Sequence, residues 1–353
     1  MQTSSRKFLV VAAVLLALGY AIYRFGGMIE GANFSGTKLL HSLKEANPIL
    51  LLLSLIVIYG CYAVRSLRWQ LFQGNLGNSR FGVIYGMTLA GFAAIFLFGR
   101  AGEPVRPLLL ARKERLPIAD MTGIYALERI FDIVSAVVVA GIALLIEKRH
   151  VPIAATSGAF LIAGVLGAIA FLAYFRFTGI ARLEGRFAPW LASAGWRKKS
   201  AEVLLGFARG VQMIRSWGEL ALVMIYSAVH WFMVLLVYIW VSHSFGGKFL
   251  EINTGDAMLL MAFTLAGSVF QLPLAGGGSQ LAAISVYKFF GMETEAATAA
   301  AVVLWLITFA ACSFAGVPIL VHEGMSFGKL REFAHEKEAT GEDAQYKQGD
   351  PAS

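Results

Sequence analysis

The sequence contains few charged residues and almost no cysteine. Asp, Glu, Lys and Arg make up 15% of its 353 residues, whereas about 25% is usual for a soluble domain. Its two cysteines, Cys61 and Cys312, both lie inside apolar stretches, which excludes a disulfide framework and a zinc site built from cysteine. We therefore expect both cysteines to pack in the protein core. We predict neither a bound metal ion nor a cofactor.

Hydrophobic residues make up 58% of the chain. They occur in blocks of about twenty residues, the length that a helix needs to cross a bilayer, so we predict an all-α polytopic membrane protein. Two apolar stretches, 81–99 and 257–274, end at runs rich in glycine and proline. Six others are predicted to span the membrane fully: 8–29, 48–69, 118–146, 152–175, 218–243 and 296–322.

The net charge of +8 would suit a nucleic-acid partner, but the basic residues cluster beside the apolar stretches. We therefore expect no binding of nucleic acid. Arg6 and Lys7 place the N-terminus in the cytoplasm by the positive-inside rule. Arg65, Arg68 and Arg80 mark the cytoplasmic side again after the second span. We predict a bacterial inner-membrane protein with both termini in the cytoplasm.

A full crossing by 81–99 would put Arg100, Arg106 and Arg112 near the outer face, which conflicts with the positive-inside rule. A re-entrant helical hairpin resolves the conflict: the chain enters from the cytoplasm, breaks at 99–104 and returns through 105–115. A second break at 273–279, followed by a short helix over 280–290, predicts a second hairpin from the outer side. Eight plain spans with glycine kinks are the alternative.

With two hairpins, each half of the chain contains two spans, a hairpin and a third span. Three crossings per half make the second half inverted relative to the first, and paired interrupted helices are typical of a transporter's central site. We expect one membrane domain over 1–325, with halves 1–150 and 151–325. The polar tail 326–353 is predicted to be disordered in the cytoplasm.

The segment 176–217 carries eight Lys or Arg residues against two Glu. Val203, Leu204, Phe207, Val211 and Ile214 share one helical face within it, which predicts an interfacial helix on anionic inner-leaflet lipids. A packed cytoplasmic linker is an equally good interpretation.

Charged residues at membrane depth require an explanation, because each costs at least about 2.5–3.5 kcal/mol. Either they form buried ion pairs that fix the first hairpin to its neighbours, or some arginine charge is available to an anionic head group. Gly102 and Ser279 are predicted N-caps of the returning helices. The candidate binding residues are Arg100, Glu103, Arg106, Glu128, Arg129, Asp132, Gly277, Gly278, Ser279 and Gln280.

Three stretches resemble the flippase-like transmembrane domain of lysylphosphatidylglycerol synthases. They are G-R-A-G-E-P-V-R at 99–106, L-E-R-I-F-D at 127–132, and Leu272-Pro273 with the glycines at 276–278. The resemblance extends over nearly the whole chain, to about residue 325. It implies movement of lipids between leaflets, with aminoacylated phosphatidylglycerol as the substrate of the two-domain members.

Those two-domain members carry a soluble synthase domain after the membrane part. This sequence resembles the stand-alone members instead, so we expect a transporter and no aminoacyl transfer. The resemblance implies a phospholipid, a glycolipid or a hopanoid as the substrate. Ser279 and Gln280 follow the glycines where many relatives have another small residue and an acid, so we expect no carboxylate role there.

We expect a lipid translocase in which the head group crosses a central polar cavity between the hairpins. Arg100 and Arg106 would meet the head group, while Glu103, Glu128 and Asp132 would orient the arginines. The alternative is a lipid-modifying membrane enzyme that uses one of these carboxylates as a general base. A scaffold for a synthase partner is a weaker third hypothesis, and a homo-oligomer is compatible with all three.

Overall fold

The computed structural model describes residues 36–146 except 75 and 78, and residues 216–324 except 274 and 275. Between these parts it describes residues 163–164, 167, 174, 178–193, 195, 197–198, 200–201 and 204–205. The predicted first span 8–29, most of the span 152–175 and the tail 326–353 lie outside the described residues.

Helices make up most of the described chain. Short 3-10 segments lie at Gly99–Gly102 and Gly247–Glu251, a π-helical segment at Leu306–Ala310, and two strands at β1 (Gln271–Leu272) and β2 (Gly276–Gly277). The α-helices are α1 (Gly36–Glu45), α2 (Pro48–Gln73), α3 (Phe81–Phe98), α4 (Val105–Glu114), α5 (Ile118–Ile146), α6 (Ile180–Leu191), α7 (Trp217–Ser244), α8 (Thr254–Gly267), α9 (Gly278–Phe289), α10 (Thr294–Trp305) and α11 (Ala311–His322).

Five described helical stretches are long and apolar enough to cross a membrane, so the prediction of a polytopic helical membrane protein is confirmed. Four of them correspond to the predicted spans 48–69, 118–146, 218–243 and 296–322. The fifth, Phe81–Gly102, contains the first arm of the first predicted hairpin. Helix α8 has 14 residues and is too short to belong to this set.

Asn47 begins α2 and connects it to the end of α7. Its side-chain oxygen accepts a hydrogen bond from the backbone N–H of Ile49 at 3.0 Å, and its own N–H donates to the carbonyl oxygen of Ser244 at 2.7 Å. Near the other end of α2, Arg68 Nη1 donates to Ser227 Oγ at 3.0 Å. Because Ser244 ends α7 and Ser227 lies in its first half, α2 and α7 pack antiparallel.

The chain reverses direction at the first predicted break. Gly99 follows α3 with a φ of 62°, in the left-handed region that favours glycine, and starts the 3-10 turn. A Cβ on Gly91 would lie 2.6 Å from Arg106 Cβ, and one on Gly102 would overlap the backbone of Ala94. Because of these contacts, α4 packs antiparallel against α3.

The N-cap position of α4 belongs to Pro104, so the prediction that Gly102 caps this helix is wrong. Gly102 is needed earlier, as the last residue of the 3-10 turn, where only a hydrogen side chain fits against Ala94.

The second break differs from the prediction in its details. Helix α8 ends at Gly267 and not near residue 274, and β1 pairs antiparallel with β2, so that Gln271 lies opposite Gly277. A Cβ on Gly267 or Gly278 would overlap the carbonyl group of the other, so α8 and α9 cross at backbone contact. Gly277 is the N-cap of α9, and Ser279 lies inside the first turn, so the prediction that Ser279 is the cap is wrong.

The two ends of each predicted hairpin lie close together. Lys113, at the end of α4, forms an ion pair of 2.7 Å with Glu323, just after α11, and Ile319 of α11 packs beside Gly86 near the start of α3. In the second hairpin, Lys248 Nζ lies 3.4 Å from the carbonyl oxygen of Gly291, so the chain before α8 meets the chain after α9.

Helices of the first half of the chain pack against helices of the second half. Helix α2 packs against α7, α3 against α11, and α8 against α5. Buried residues form one large apolar cluster around Trp69, Ile84 and Leu110 and a second around Tyr238, Leu260 and Tyr287.

The described part of the basic insert packs on the protein. Leu183 of α6 and Leu205 are buried in the same cluster as Trp69, with Phe187 and Leu204 against them. These contacts support the packed linker for this part. Of the predicted interfacial face, only Leu204 is among the described residues.

Candidate functional site

Glu128 lies completely buried on α5 and contacts three arginines. Its Oε2 accepts a hydrogen bond from Arg106 Nη1 at 2.7 Å, while its Oε1 lies 2.8 Å from Arg65 Nε and 3.4 Å from Arg68 Nη2. Arg65 and Arg68 come from α2 and Arg106 from α4. A single carboxylate therefore joins three helices, and its burial depends on this pairing.

Asp132 lies one turn further along α5 and extends the network. Its Oδ1 accepts a hydrogen bond from Arg68 Nη2 at 2.6 Å, and its Oδ2 accepts one from Arg65 Nη2. Arg129 Nη2 lies 3.9 Å from Oδ2, which is the contact that the i, i+3 spacing predicts. We call Arg65, Arg68, Arg106, Glu128, Arg129 and Asp132 together the arginine cluster.

Sequence reasoning missed Arg65 and Arg68, which it assigned to the cytoplasmic side of the second span. The expectation that they lie beyond the span is wrong, because α2 continues to Gln73 and both side chains are buried against α5. The available signal was their spacing. Arg65, Arg68, Trp69 and Phe72 follow the i, i+3, i+4, i+7 pattern of one helix face, and all four are buried.

Positive charge exceeds negative charge in the arginine cluster, with four guanidinium groups against two carboxylates. Several guanidinium nitrogens in the described part of the chain are buried without a hydrogen-bond partner, namely Arg106 Nε and Nη2, Arg68 Nε and Arg129 Nε. Such groups are costly unless they are satisfied. The cluster therefore has hydrogen-bond donors and charge left for an anion.

A more exposed set of residues lies beside the cluster at the first break. Arg100 and Glu103 are 3.7 Å apart, with 54% and 33% of their side chains exposed. Tyr125 donates a hydrogen bond to Glu103 Oε2 at 3.2 Å, and its ring lies 5.0 Å below the guanidinium carbon of Arg129. Arg129 and Tyr125 thus connect this set to the arginine cluster.

The two breaks touch each other. Arg100 Nε donates a hydrogen bond of 2.9 Å to the carbonyl oxygen of Val269, which lies just before β1. The 3-10 turn also contacts β1 directly. The two interrupted elements that the sequence predicts to form one site are therefore neighbours.

The candidate residues of the second break form a hydrogen-bonded group of their own. Gln280 Oε1 accepts hydrogen bonds from the backbone N–H of Gly277 at 2.7 Å and from Ser279 Oγ at 3.0 Å. Gly278 brings α9 against α8 through its contact with Gly267. Gln280 is buried, so this group stabilises the start of α9 from inside the protein.

A cavity of about 30 Å³ lies between the second break and the last helices. Its lining includes Ser279 of α9, Thr264 of α8 and Trp305 of α10. A volume of this size holds one or two water molecules. A whole lipid head group does not fit into it in this conformation.

Comparison with known proteins identifies the family. The family model described as the lysylphosphatidylglycerol synthase TM region matches residues 7–316, which include both breaks and the carboxylates of α5. The chain matches no curated protein and no solved structure. The family points to a membrane lipid-related function, and the match confirms the resemblance seen in the sequence motifs. The chain belongs to the family defined by the lysylphosphatidylglycerol synthase transmembrane region.

Proposed function

We propose that this protein is a lipid translocase, which moves a lipid with a polar or anionic head group between the leaflets of a bacterial inner membrane. The observation that carries the proposal is the excess of arginine over carboxylate in the arginine cluster, where three buried arginines, Arg65, Arg68 and Arg106, share Glu128 and Asp132.

An excess of buried charge argues for a ligand. Ion pairs that only fix helices together would need about one carboxylate for each arginine, because an unpaired buried charge costs several kcal/mol. Arg106 keeps Nε and Nη2 without a partner among the described residues, although its Nη1 binds Glu128. A phosphate group accepts two parallel N–H bonds from one guanidinium and would satisfy both nitrogens.

The packing of the helices supports an inverted repeat with two re-entrant hairpins. In an inverted repeat, α2 would correspond to α7, α3 to α8, and α5 to α11. The contact between α3 and α11 would then be equivalent to the contact between α8 and α5, and the contact between α2 and α7 would be equivalent to itself. Inverted repeats with interrupted helices place substrates at the interface of the two halves. Helices α4 and α9 both begin at the touching breaks, and helix N-termini attract anions.

Transport would require the two halves to move. The cavity at the second break is too small for a head group, so a passage would open by rocking one half against the other. The Arg100–Val269 hydrogen bond and the Lys113–Glu323 ion pair both join the first hairpin to the second half. We propose that these contacts break and form again in each cycle.

A transporter explains the carboxylates better than an enzyme does. The oxygens of Glu128 and Asp132 are occupied by guanidinium groups and are poorly placed to accept a proton from a substrate. Glu103 is the more exposed carboxylate and would be the base of a lipid-modifying enzyme.

Leaflet exchange in reconstituted vesicles tests the proposal. A fluorescent phosphatidylglycerol in the inner leaflet should become accessible to an external quencher faster with the protein than in protein-free vesicles. Arg100→Ala should slow the exchange, whereas Arg80→Ala removes an exposed arginine at the other end of α3, about 27 Å away by helix rise, and should not. No exchange above protein-free vesicles for anionic, zwitterionic and glycosyl lipids would refute translocation. A new covalent lipid product in mass spectra would favour the enzyme.

A further inference from the structure

His230 lies at the edge of the arginine cluster and has no role in the transport cycle proposed above. It is buried on α7, with 7% of the residue exposed. Three residues earlier on the same helix, Ser227 accepts the hydrogen bond from Arg68 Nη1, so one face of α7 carries both residues. Arg65, Arg68 and Asp132 are close enough to act electrostatically on the imidazole. His230 therefore belongs to the surroundings of the cluster.

One nitrogen of the His230 imidazole is free to bind a proton. Nδ1 lies 3.2 Å from the carbonyl oxygen of Cys61, and a carbonyl oxygen only accepts hydrogen bonds, so Nδ1 carries the hydrogen of the neutral ring. Nε2 then has a lone pair. It makes no hydrogen bond to a described residue, and it is not among the sealed nitrogens that lack a partner. Nε2 is therefore accessible to a proton.

The arginine cluster is less tightly sealed on the side of His230. The side chains of Arg68 and Glu128 are 1% and 0% exposed. Those of Arg65 and Asp132, two of the charged neighbours of His230, keep 9% and 13% of their surface exposed. An anion that approaches the cluster from this side passes the imidazole.

The other helices that pack on α7 bring no charge near the imidazole. Helices α8 and α10 carry Asp256 and Glu295 as their only acidic or basic residues, each in the first turn. The start of α8 lies beside His243, whose Nε2 is 2.9 Å from the carbonyl oxygen of Ile252. Helix α10 packs on α1, which precedes the start of α2 at the same end of α7. His243 is about 20 Å along α7 from His230 by helix rise.

The charge of the cluster decides when His230 binds a proton. Arg65 and Arg68 repel a positive charge on the imidazole, and Asp132 attracts it. Four guanidinium groups and two carboxylates leave the cluster with two positive charges in excess. An anion with one negative charge reduces this excess to one, and a proton on His230 restores it. Anion binding therefore favours the proton, and by linkage the proton favours the anion to the same extent.

We propose that His230 takes up one proton each time an anionic lipid binds to the arginine cluster, so that the protein moves the lipid together with a proton. The inference rests on the proposed function. The proton comes from water on the side where the lipid binds, forms the Nε2–H bond, and returns to water on the other side when the lipid leaves. A lipid with one negative charge then crosses as a neutral pair, without work against the membrane potential. A proton gradient would thereby drive net movement of the lipid.

Proton uptake by the purified full-length protein tests the proposal. Short-chain phosphatidylglycerol is added in weakly buffered detergent solution with a pH indicator, between about pH 6 and 8, the range in which a histidine commonly titrates. Wild type should take up as much as one proton for each bound lipid. Its affinity should rise by up to about tenfold for each pH unit that the pH falls, the limit for one linked proton. Diacylglycerol, which carries no head-group charge, should cause no uptake.

His230→Asn keeps an amide N–H for the carbonyl oxygen of Cys61 but cannot bind the proton. It should abolish the proton uptake and the pH dependence of lipid affinity. His243→Asn, on the same helix but far from the cluster, is the matched control and should keep both. If His230→Asn does not fold, replacement of the other five histidines of the chain leaves His230 alone, and this variant should keep the uptake.

No uptake by wild type, no binding of phosphatidylglycerol, uptake that survives His230→Asn, or uptake lost with the other five histidines would each overturn the proton coupling. Leaflet exchange is measured separately, in vesicles with a pH gradient, where fluorescent phosphatidylglycerol should accumulate in the leaflet that faces the alkaline side. Exchange without proton uptake would overturn the coupling and keep translocation. Uptake without exchange would refute translocation and keep His230 as a proton site linked to anion binding.

Discussion

The guanidinium carbon of Arg106 lies 4.1 Å from the centre of the Trp69 ring, while Nη1 of the same group donates to Glu128. Trp69 is completely buried and Arg106 is 3% exposed, so the contact joins α2 to α4 inside the protein. Stacking on an aromatic face uses the planar shape of guanidinium as well as its charge. The remaining donors are thereby held in a fixed direction.

Arg106→Lys should slow leaflet exchange about tenfold or more, because a hydrogen bond to a charged group contributes about 1.5–3 kcal/mol and lysine cannot form a bidentate pair. The charge is kept, so a purely electrostatic role would leave the exchange rate unchanged. Arg80→Lys at the exposed start of α3 is the control, with the rate measured in the same vesicle assay.

The arginine cluster shows where sequence reasoning was sufficient and where it was not. Glu128, Arg129 and Asp132 were found because charges inside a long apolar stretch are conspicuous. Arg65 and Arg68 were missed because they lie near the end of their apolar stretch, where arginine is expected at the membrane surface. The spacing that they share with Trp69 and Phe72 indicates a buried face, and the contact with α5 shows what buries it.

The breaks could be placed from glycine and proline, but their internal geometry could not. The end of α8 at Gly267 depends on its contact with Gly278, eleven positions later, and no local pattern in an apolar stretch encodes that contact. The β1–β2 pairing has the same origin, because it closes the turn between two helices that already touch. The four predicted long spans that the described residues include, 48–69, 118–146, 218–243 and 296–322, follow from composition alone.

Glu128→Gln should destabilise the protein by about 3–5 kcal/mol, because it removes the charge on which three buried arginines depend. Glu103→Gln should change the stability by less than about 1 kcal/mol, since its ion pair with Arg100 is half-exposed. Denaturant titration in detergent measures the free energy of unfolding of both variants. Equal stability of the two would show that the arginine cluster is not a structural element.

Gly316→Ala should lower the stability by about 1–3 kcal/mol, because a Cβ there would overlap the carbonyl group of Leu89 and force α11 away from α3. Gly82→Ala is a matched change on α3, at a position where a Cβ meets open space. It should be neutral or slightly stabilising, as alanine favours a helix over glycine. If both changes have the same effect, the close approach of α3 and α11 is not needed for stability.

Cysteine labelling tests whether the first interrupted element is re-entrant. The Lys113–Glu323 ion pair puts the end of α4 beside the end of α11, and Ile319 packs next to Gly86 near the start of α3. Arg80→Cys and Arg112→Cys should therefore react with a membrane-impermeant maleimide from the same face, the cytoplasmic one.

Lys248→Cys should react from the outer face, because it lies beyond Ser244, where α7 ends next to the start of α2. The native Cys61 and Cys312 are 1% and 0% exposed and give little background. Labelling after solubilisation in detergent confirms that each introduced thiol is reactive. Eight plain spans would separate Arg80 from Arg112 by a full crossing of the membrane. Labelling of these two positions from opposite faces would therefore contradict the hairpin. It would also contradict the inverted repeat on which the transport mechanism depends.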